Sequence, residues 1–389
     1  MALKQNTWKI NQWYDQSVAG NVTYTGPQGL FTWGGSPYGE SGRNTRGPGS
    51  HVSSPTQVGS LTTWTSLVGY YDGFQYSATR SDGTLWAWGN NSVSGQLGQN
   101  SNVNYSSPVQ IPGTDWAITY AGPKTSVYAT KTDGSLWSVG ANDFGQLGQN
   151  NRTHYSSPVQ IGSDTTWPTT KNKFGGNDYN MAAIKTDGTL WVCGYGANGQ
   201  LGQNSLIKYS SPIQIPGSWA TISKPPRYFQ AAINTDGELW MWGAGGGGQL
   251  GQNQNGDGHQ FSSPVQVPGT TWKLVCGSSS SVSATKTDGT LWSWGSNGSG
   301  ILGHNNEVSY SSPVQVGSST DWDIPLQLGS FGGGIKTDGT LWGSGSNPAG
   351  LLGQNNRTSY SSPVQVGSGA WVEMAGSGEG GSLAALDLN

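Results

Sequence analysis

Polar and apolar positions along this chain fall into one pattern that recurs about every fifty residues, a spacing at which tandem units build solenoids or propellers. The clearest copy runs from Ser283 to Val316. Ser283-Ala284-Thr285-Lys286 and Leu291-Trp292-Ser293-Trp294 alternate in character, as strands do. Between them Asp288-Gly289 predicts a two-residue hairpin in a primed turn, Gly adopting positive φ freely and Asp tolerating it. Leu291 and Ser293 then face one way and Trp292 and Trp294 the other, which suits a sheet sandwiched between two more sheets. Gly295 ends the strand. Gly300-Ile301-Leu302-Gly303 predicts a loop that turns twice around an anchoring Leu. Pro313 opens a short last strand, where a residue without an N–H fits a sheet edge. No stretch sustains the three-and-four apolar spacing of a helix.

The leucine of the Leu-Trp step stands at Leu85, Leu136, Leu190, Leu239, Leu291 and Leu341, with a weaker copy at Leu30-Phe31-Thr32-Trp33-Gly34. Gly-x-Leu-Gly begins at Gly95, Gly145, Gly199, Gly248, Gly300 and Gly350 and is degenerate at Gly39-Glu40-Ser41-Gly42. Ser-Pro-x-Gln closes each unit, at Pro55, Pro108, Pro158, Pro212, Pro264, Pro313 and Pro363, and a further Trp follows each time. Trp371 to Gly376 repeats Trp272 to Gly277, and Ser382 to Leu386 supplies the next strand just before the last residue, Asn389. The half-unit missing there is Leu30 to Val58. The expected architecture is all-β: a propeller of seven four-stranded blades over 29–389, its ring closed by N- and C-terminal half-blades. Residues 1–28 would be an N-terminal arm. Trp8-Lys9-Ile10 and Val22-Thr23-Tyr24 compete with 371–386 for the closing slot, and the better spacing favours the C-terminal segment.

Composition narrows the function. Gly 63 and Pro 19 would suit low complexity, but 19 Trp, all except Trp8 and Trp13 in repeat register, point to a packed core. A net charge of −3 with few charged residues leaves no basic patch for nucleic acid. The first residues lack the apolar run of a secretion signal, and no stretch is long enough to span a membrane. Cys193 takes a slot filled by Trp elsewhere and Cys276 lies in a strand; both read as buried small apolar groups. His51, His154, His259 and His304 lie in polar loops without a partner at useful spacing, and no carboxylate pair can be read. No enzymatic activity, cofactor or metal is expected.

The order Asp82-Gly83-Thr84-Leu85-Trp86-Ala87-Trp88-Gly89, then Gly95-Gln96-Leu97-Gly98, then Pro108, resembles the repeat of the regulator-of-chromosome-condensation propeller family. The resemblance covers about 29–389 and implies a seven-bladed propeller used for protein–protein contacts on a face of the ring. Uniform, neutral, Asn/Ser/Gln-rich stretches such as Gly353 to Pro363 look like repeats encoded by bacteriophages and environmental bacteria.

Function is expected where the copies differ, since one fold hosts many functions. The connection after each Trp strand varies most. It holds Tyr70, Tyr71 and Phe74, then Lys124, then Asp178 and Tyr179, then Arg227, Tyr228 and Phe229. Equivalent loops fall on one face, and Tyr and Arg are enriched in binding hot spots. These residues are the candidate protein-binding set; Trp8, Trp13 and Tyr14 are the candidate tether of the arm. The expected role is a non-catalytic structural component of a phage particle, in capsid, neck or tail, with other virion proteins as partners. The alternative is a soluble, cytoplasmic binding or inhibitor module.

Overall fold

The computed structural model describes residues 29–47, 50, 52–69, 74–92, 94–120, 125–177, 179–223, 228–256, 258–376 and 382–387. Among them there is no helix, and the strands form seven antiparallel sheets of four. These are the blades of a propeller. Blades one to six follow the chain at 64–111, 116–160, 174–215, 219–266, 272–315 and 322–365. Blade seven is shared: Trp371–Gly376 and Ser382–Asp387 supply two strands, Leu30–Gly34 and Val52–Gln57 the others. Leu30–Gly34 pairs along its whole length with Ser382–Asp387. The C-terminal segment thus fills the slot; the arm, with Trp8, Trp13 and Tyr14, lies outside the described residues.

In every blade but the third the innermost strand opens on a Trp; in blade three it is Phe174–Asn177. Trp64–Gly69 packs against Trp371–Gly376 on one side and Trp116–Tyr120 on the other. The Ser-Ser-Pro strand is outermost and half-exposed along its length, so its proline removes no ladder hydrogen bond. Antiparallel connections then sort by face. First-to-second-strand connections and Gly-x-Leu-Gly loops share one face of the ring, the loop face; Asp-Gly turns and blade-to-blade crossovers share the other, the turn face.

The alternation along the Leu-Trp strand covers both sides of every sheet. Leu291 packs with Val316, just past its own blade, and Trp322 of blade six, while Trp294 lies among Phe229, Leu239 and Leu250 of blade four and Val267 just past it. Trp33, Trp88, Trp242 and Trp294 are fully buried and donate their indole N–H into the preceding blade. The acceptors are the carbonyls of Leu351, Glu40, Gln200 and Gln249, at 3.0, 3.0, 2.9 and 2.8 Å. Each acceptor is the second residue of a Gly-x-Leu-Gly step. Where the Trp slot is Cys193 or Ser344, the thiol and hydroxyl donate to the matching carbonyls of Gln146 and Ile301, at 3.4 and 3.3 Å. Cys193 and Cys276 are both buried, and no disulfide joins them.

The same loop docks forward onto the next blade. A Cβ at Gly39, Gly145 or Gly300 would stand 2.5–2.6 Å from the Cα of Ser106, Ser210 or Ser361, so these positions admit no side chain. Two residues past each loop an Asn adopts left-handed φ and donates its N–H to that serine's carbonyl: Asn44 to Ser106 at 2.7 Å, Asn150 to Ser210 at 2.7 Å, Asn305 to Ser361 at 2.8 Å. Asn tolerates this φ better than other side chains. The repeated Asn and Ser-Ser-Pro are therefore the two halves of one seam.

The hairpin differs from the primed turn expected. Gly289 N–H donates to Lys286 at 3.0 Å, so Thr287 and Asp288 form the centre of the turn, and Gly289 alone carries positive φ, 78°. This is a three-residue loop ending in a glycine bulge. Asp288 prefers it because its carboxylate then accepts from Thr290 N–H at 3.0 Å and Thr290 hydroxyl at 2.7 Å. That hydroxyl in turn accepts from the Trp292 indole at 2.9 Å. The bonds from Thr290 hold the Asp288 carboxyl below its usual range. Glycine is needed for space as well, since a Cβ at Gly289 would meet Thr320 O at 1.9 Å.

One seam residue is out of keeping. In the glutamine slot of the loop, Gln249 accepts from Gly247 N–H at 2.8 Å and donates to Ala244 O at 3.0 Å. Glu40 occupies this slot in blade seven, fully buried; Oε2 accepts from Tyr38 N–H at 2.8 Å, while Oε1 has no hydrogen-bond partner. Burial pushes its carboxyl up to about 7. A folded value above the unfolded one means that stability is fully present below about pH 4.5 and falls as pH rises through 7. The unfolding free energy from denaturant titrations should therefore drop between about pH 5 and pH 8, by on the order of 2–3 kcal/mol. Glu40→Gln, which restores the amide donor, should abolish that slope; an unchanged slope in the variant would refute the assignment.

Candidate protein-binding face

The first-to-second-strand connections end at a fixed point. The carbonyls of Phe74, Thr125, Tyr179, Tyr228 and Ser280 each accept an N–H from a residue at the end of the third strand: Asn90, Ala141, Tyr195, Ala244 and Ser296, all at 2.9 Å. The backbone there is pinned, and Phe74, Tyr179 and Tyr228 are held half-buried on the loop face. Phe74 reaches this pose with left-handed φ, 52°.

Each of the first two meets an aromatic residue from the preceding blade. Phe74 lies 4.9 Å from Tyr38, which is 38% exposed. Tyr179 lies 4.9 Å from Phe144 and 5.9 Å from Tyr195, and Phe144 and Tyr195 stand 4.9 Å apart, all edge-on. Edge-to-face pairs at this range attract beyond their buried area. The Lys208 ammonium stands over Phe144 and Tyr195 at 4.9 and 5.1 Å. Beside it Leu206 and Ile207 are 49% and 61% exposed. Three aromatic rings, an amine and two bared aliphatic side chains thus share the loop face at the junction of blades two and three.

Phe229 does not belong to this face. It opens a strand, pairs with Gly243, and is completely buried with Leu239, Val275 and Val282 between blades four and five. Its neighbour Tyr228 ends the connection, and one step further along a pleated strand the side chain turns into the core. Tyr70, Tyr71, Lys124, Asp178 and Arg227 lie outside the described residues. Tyr38, Phe144, Tyr195 and Lys208 were missed by sequence reasoning. A signal existed: Tyr38 and Phe144 stand just before the glycine of the loop, where other copies carry Ser94, Asn198, Gly247, Ser299 and Ala349.

Two histidines have partners after all. His154 contacts Asp143 at 3.1 Å. His304 replaces the loop's trailing glutamine, sits against Tyr310 and bonds Ser293 at 2.9 Å; burial holds its pKa below the usual value. Among the described residues no group of three His, Cys, Asp or Glu side chains gathers, and no helix is long and apolar enough to cross a membrane.

The sequence model described as "Regulator of chromosome condensation (RCC1) repeat" matches residues 82–121, 133–182, 187–223, 236–284 and 288–324, more than half of the chain. The chain belongs to the RCC1 repeat family. No curated protein sequence matches it. Among solved structures, Prp20p from Saccharomyces cerevisiae, described with its binding to Gsp1p and histones, superimposes with a TM-score of 0.81 at 16% identity, over 94% of this chain and 92% of Prp20p. Yeast RCC1 (Prp20) bound to Kap60 gives 0.79 at 16% identity, over 93% and 89%. Human WBSCR16 gives 0.77 at 19% identity, over 92% and 98%. At these identities the likeness is one of fold.

The two classes of residue separate experimentally. Phe229→Ala should cost about 3–5 kcal/mol in denaturant unfolding, as large core truncations do. Tyr179→Ser should stay within about 1 kcal/mol of the parent. Equal losses would mean that Tyr179 is core or that Phe229 is not.

Proposed function

We propose that this RCC1-family propeller is a non-catalytic interaction protein that grips a partner protein through its loop face at blades two and three. The cluster of Phe144, Tyr179 and Tyr195 under Lys208, beside exposed Leu206 and Ile207, carries the reading. Rigid aromatics bring large contact area at low entropic cost, and Tyr is typical of binding hot spots. The yeast structures, described with Gsp1p, histones and Kap60, support a protein as ligand. The partner is a virion structural protein and the arm 1–28 the tether; this part of the proposal rests on the resemblance of the neutral, uniform repeats to those of phages. The alternative, a soluble inhibitor-like module, uses the same face.

Mass spectrometry of purified particles from the source phage should find the chain at constant stoichiometry, and Phe144→Ala/Tyr179→Ala should lower its incorporation at least tenfold while leaving the thermal midpoint unchanged. A chain confined to the unassembled soluble pool would refute the virion role; undiminished incorporation of the variant would refute the face.

A further inference from the structure

On the opposite, turn face, five of the blades carry a second device. The Trp that opens the innermost strand pairs in register with the last residue of the second strand: Trp64 with Arg80, Trp116 with Lys131, Trp272 with Lys286, Trp322 with Lys336. Arg80 stands 5.9 Å from Trp86 of the Leu-Trp step, and each lysine lies between the opening Trp and the Trp of the Leu-Trp step. Lys131 is 5.1 and 4.6 Å from Trp116 and Trp137, Lys286 4.7 and 4.5 Å from Trp272 and Trp292, Lys336 5.1 and 5.0 Å from Trp322 and Trp342. In blade three Lys185 stands likewise 4.7 and 4.2 Å from Trp167 and Trp191. An acid on the preceding crossover anchors three of these amines: Asp115, Asp164 and Asp321. An ammonium over an indole face is attracted by the ring quadrupole.

Blade four keeps the two indoles and lacks the amine. Trp219 pairs with Asn234, and the shortened crossover Pro216-Gly217-Ser218 brings no acid. The third change is Glu238, where other copies have Thr84, Ser135, Thr189, Thr290 and Thr340. Asn234 is turned away to Glu238, its amide donating to the carboxylate at 2.7 Å. What remains is an open pocket of about 630 Å³ lined by Trp219, Trp240, Asn234, Ile215 and Pro264. The equivalent pocket that contains Lys185 measures about 360 Å³, and that lined by Trp64 and Trp86 of blade one about 500 Å³.

We propose that this pocket binds an alkylammonium group, the chemistry of a lysine side chain or a small primary amine, which takes the place of the missing lysine. The two indoles provide the cation–π walls, and Glu238, one hydrogen bond from the lining, provides the negative charge. The site is separate from the loop-face cluster, and its failure would leave that proposal standing.

Titration of the full chain with n-butylammonium, followed by the indole N–H resonances of Trp219 and Trp240, tests it. Saturating shifts of both are expected, with no saturation for n-butanol, the neutral isostere. Nα-acetyl-lysine-N-methylamide binding at least threefold tighter would identify a protein lysine as the natural occupant; equal affinity would identify the free amine. Asn234→Lys should fill the pocket from within and Trp240→Leu should remove one wall. Each should weaken binding at least tenfold, with folding of both verified by circular dichroism and thermal midpoint. No saturable shift, equal shifts with butanol, or unweakened binding in a folded variant would overturn the proposal.

Discussion

The structure depends on one hydrogen bond repeated in six of the seven blades: a donor in the last core slot of the third strand reaches back to the loop carbonyl of the blade before, and only blade two, with Val139 there, lacks it. Four indoles make it, and Cys193 and Ser344 make it in kind. A buried indole N–H without a partner carries a desolvation cost, so each Trp fixes the distance and rotation of its blade relative to the neighbour. The carbonyl it needs sits on a loop that glycine lets lie flat against the next Ser-Ser-Pro strand. One loop therefore touches its own blade and both neighbours. This explains why Gly-x-Leu-Gly and Ser-Pro-x-Gln recur with the Trp: all are parts of one joint.

Such joints make blades interchangeable mechanically and leave the two faces free to vary. On the loop face, aromatics at positions that are small in other copies gather between blades two and three. On the turn face, a lysine-and-tryptophan lattice braces the junctions and is vacated at Asn234. Both departures sit on connections or strand ends, where a changed side chain alters the surface and leaves the seams intact. The channel side has a tie of its own. Glu373 of blade seven accepts from Leu67 N–H of blade one at 3.0 Å and from Lys171, ahead of blade three, at 2.9 Å.

Much of this was legible in the sequence, for a physical reason. The spacing of Leu-Trp, Asp-Gly and Ser-Pro encodes strand, turn and edge locally, so the blade and the torn half-units could be read from Leu30 and Trp371. The turn type could not: Asp-Gly fits a primed turn and a glycine bulge alike, and the choice was made by Thr290 and by the crowding of Thr320. The candidate face was half legible. Variable loops marked Phe74, Tyr179 and Tyr228, but Phe229 is one pleat too far, and Phe144 and Tyr195 come from other loops, Phe144 from another blade. Contacts between units are invisible to a reading that aligns the units with each other.

The closing blade is where the ring either holds or opens, because two chain ends must pair there without a covalent connection. Native-state hydrogen exchange at Leu383, Ala384, Ala385 and Leu386 measures this directly against the equivalent strand Gln75–Arg80 of blade one. A closed ring predicts equal protection at the two sets of amides, lost together in one cooperative opening. Exchange at 383–386 many-fold faster than at 75–80, as in a frayed end, would contradict closure by the shared blade.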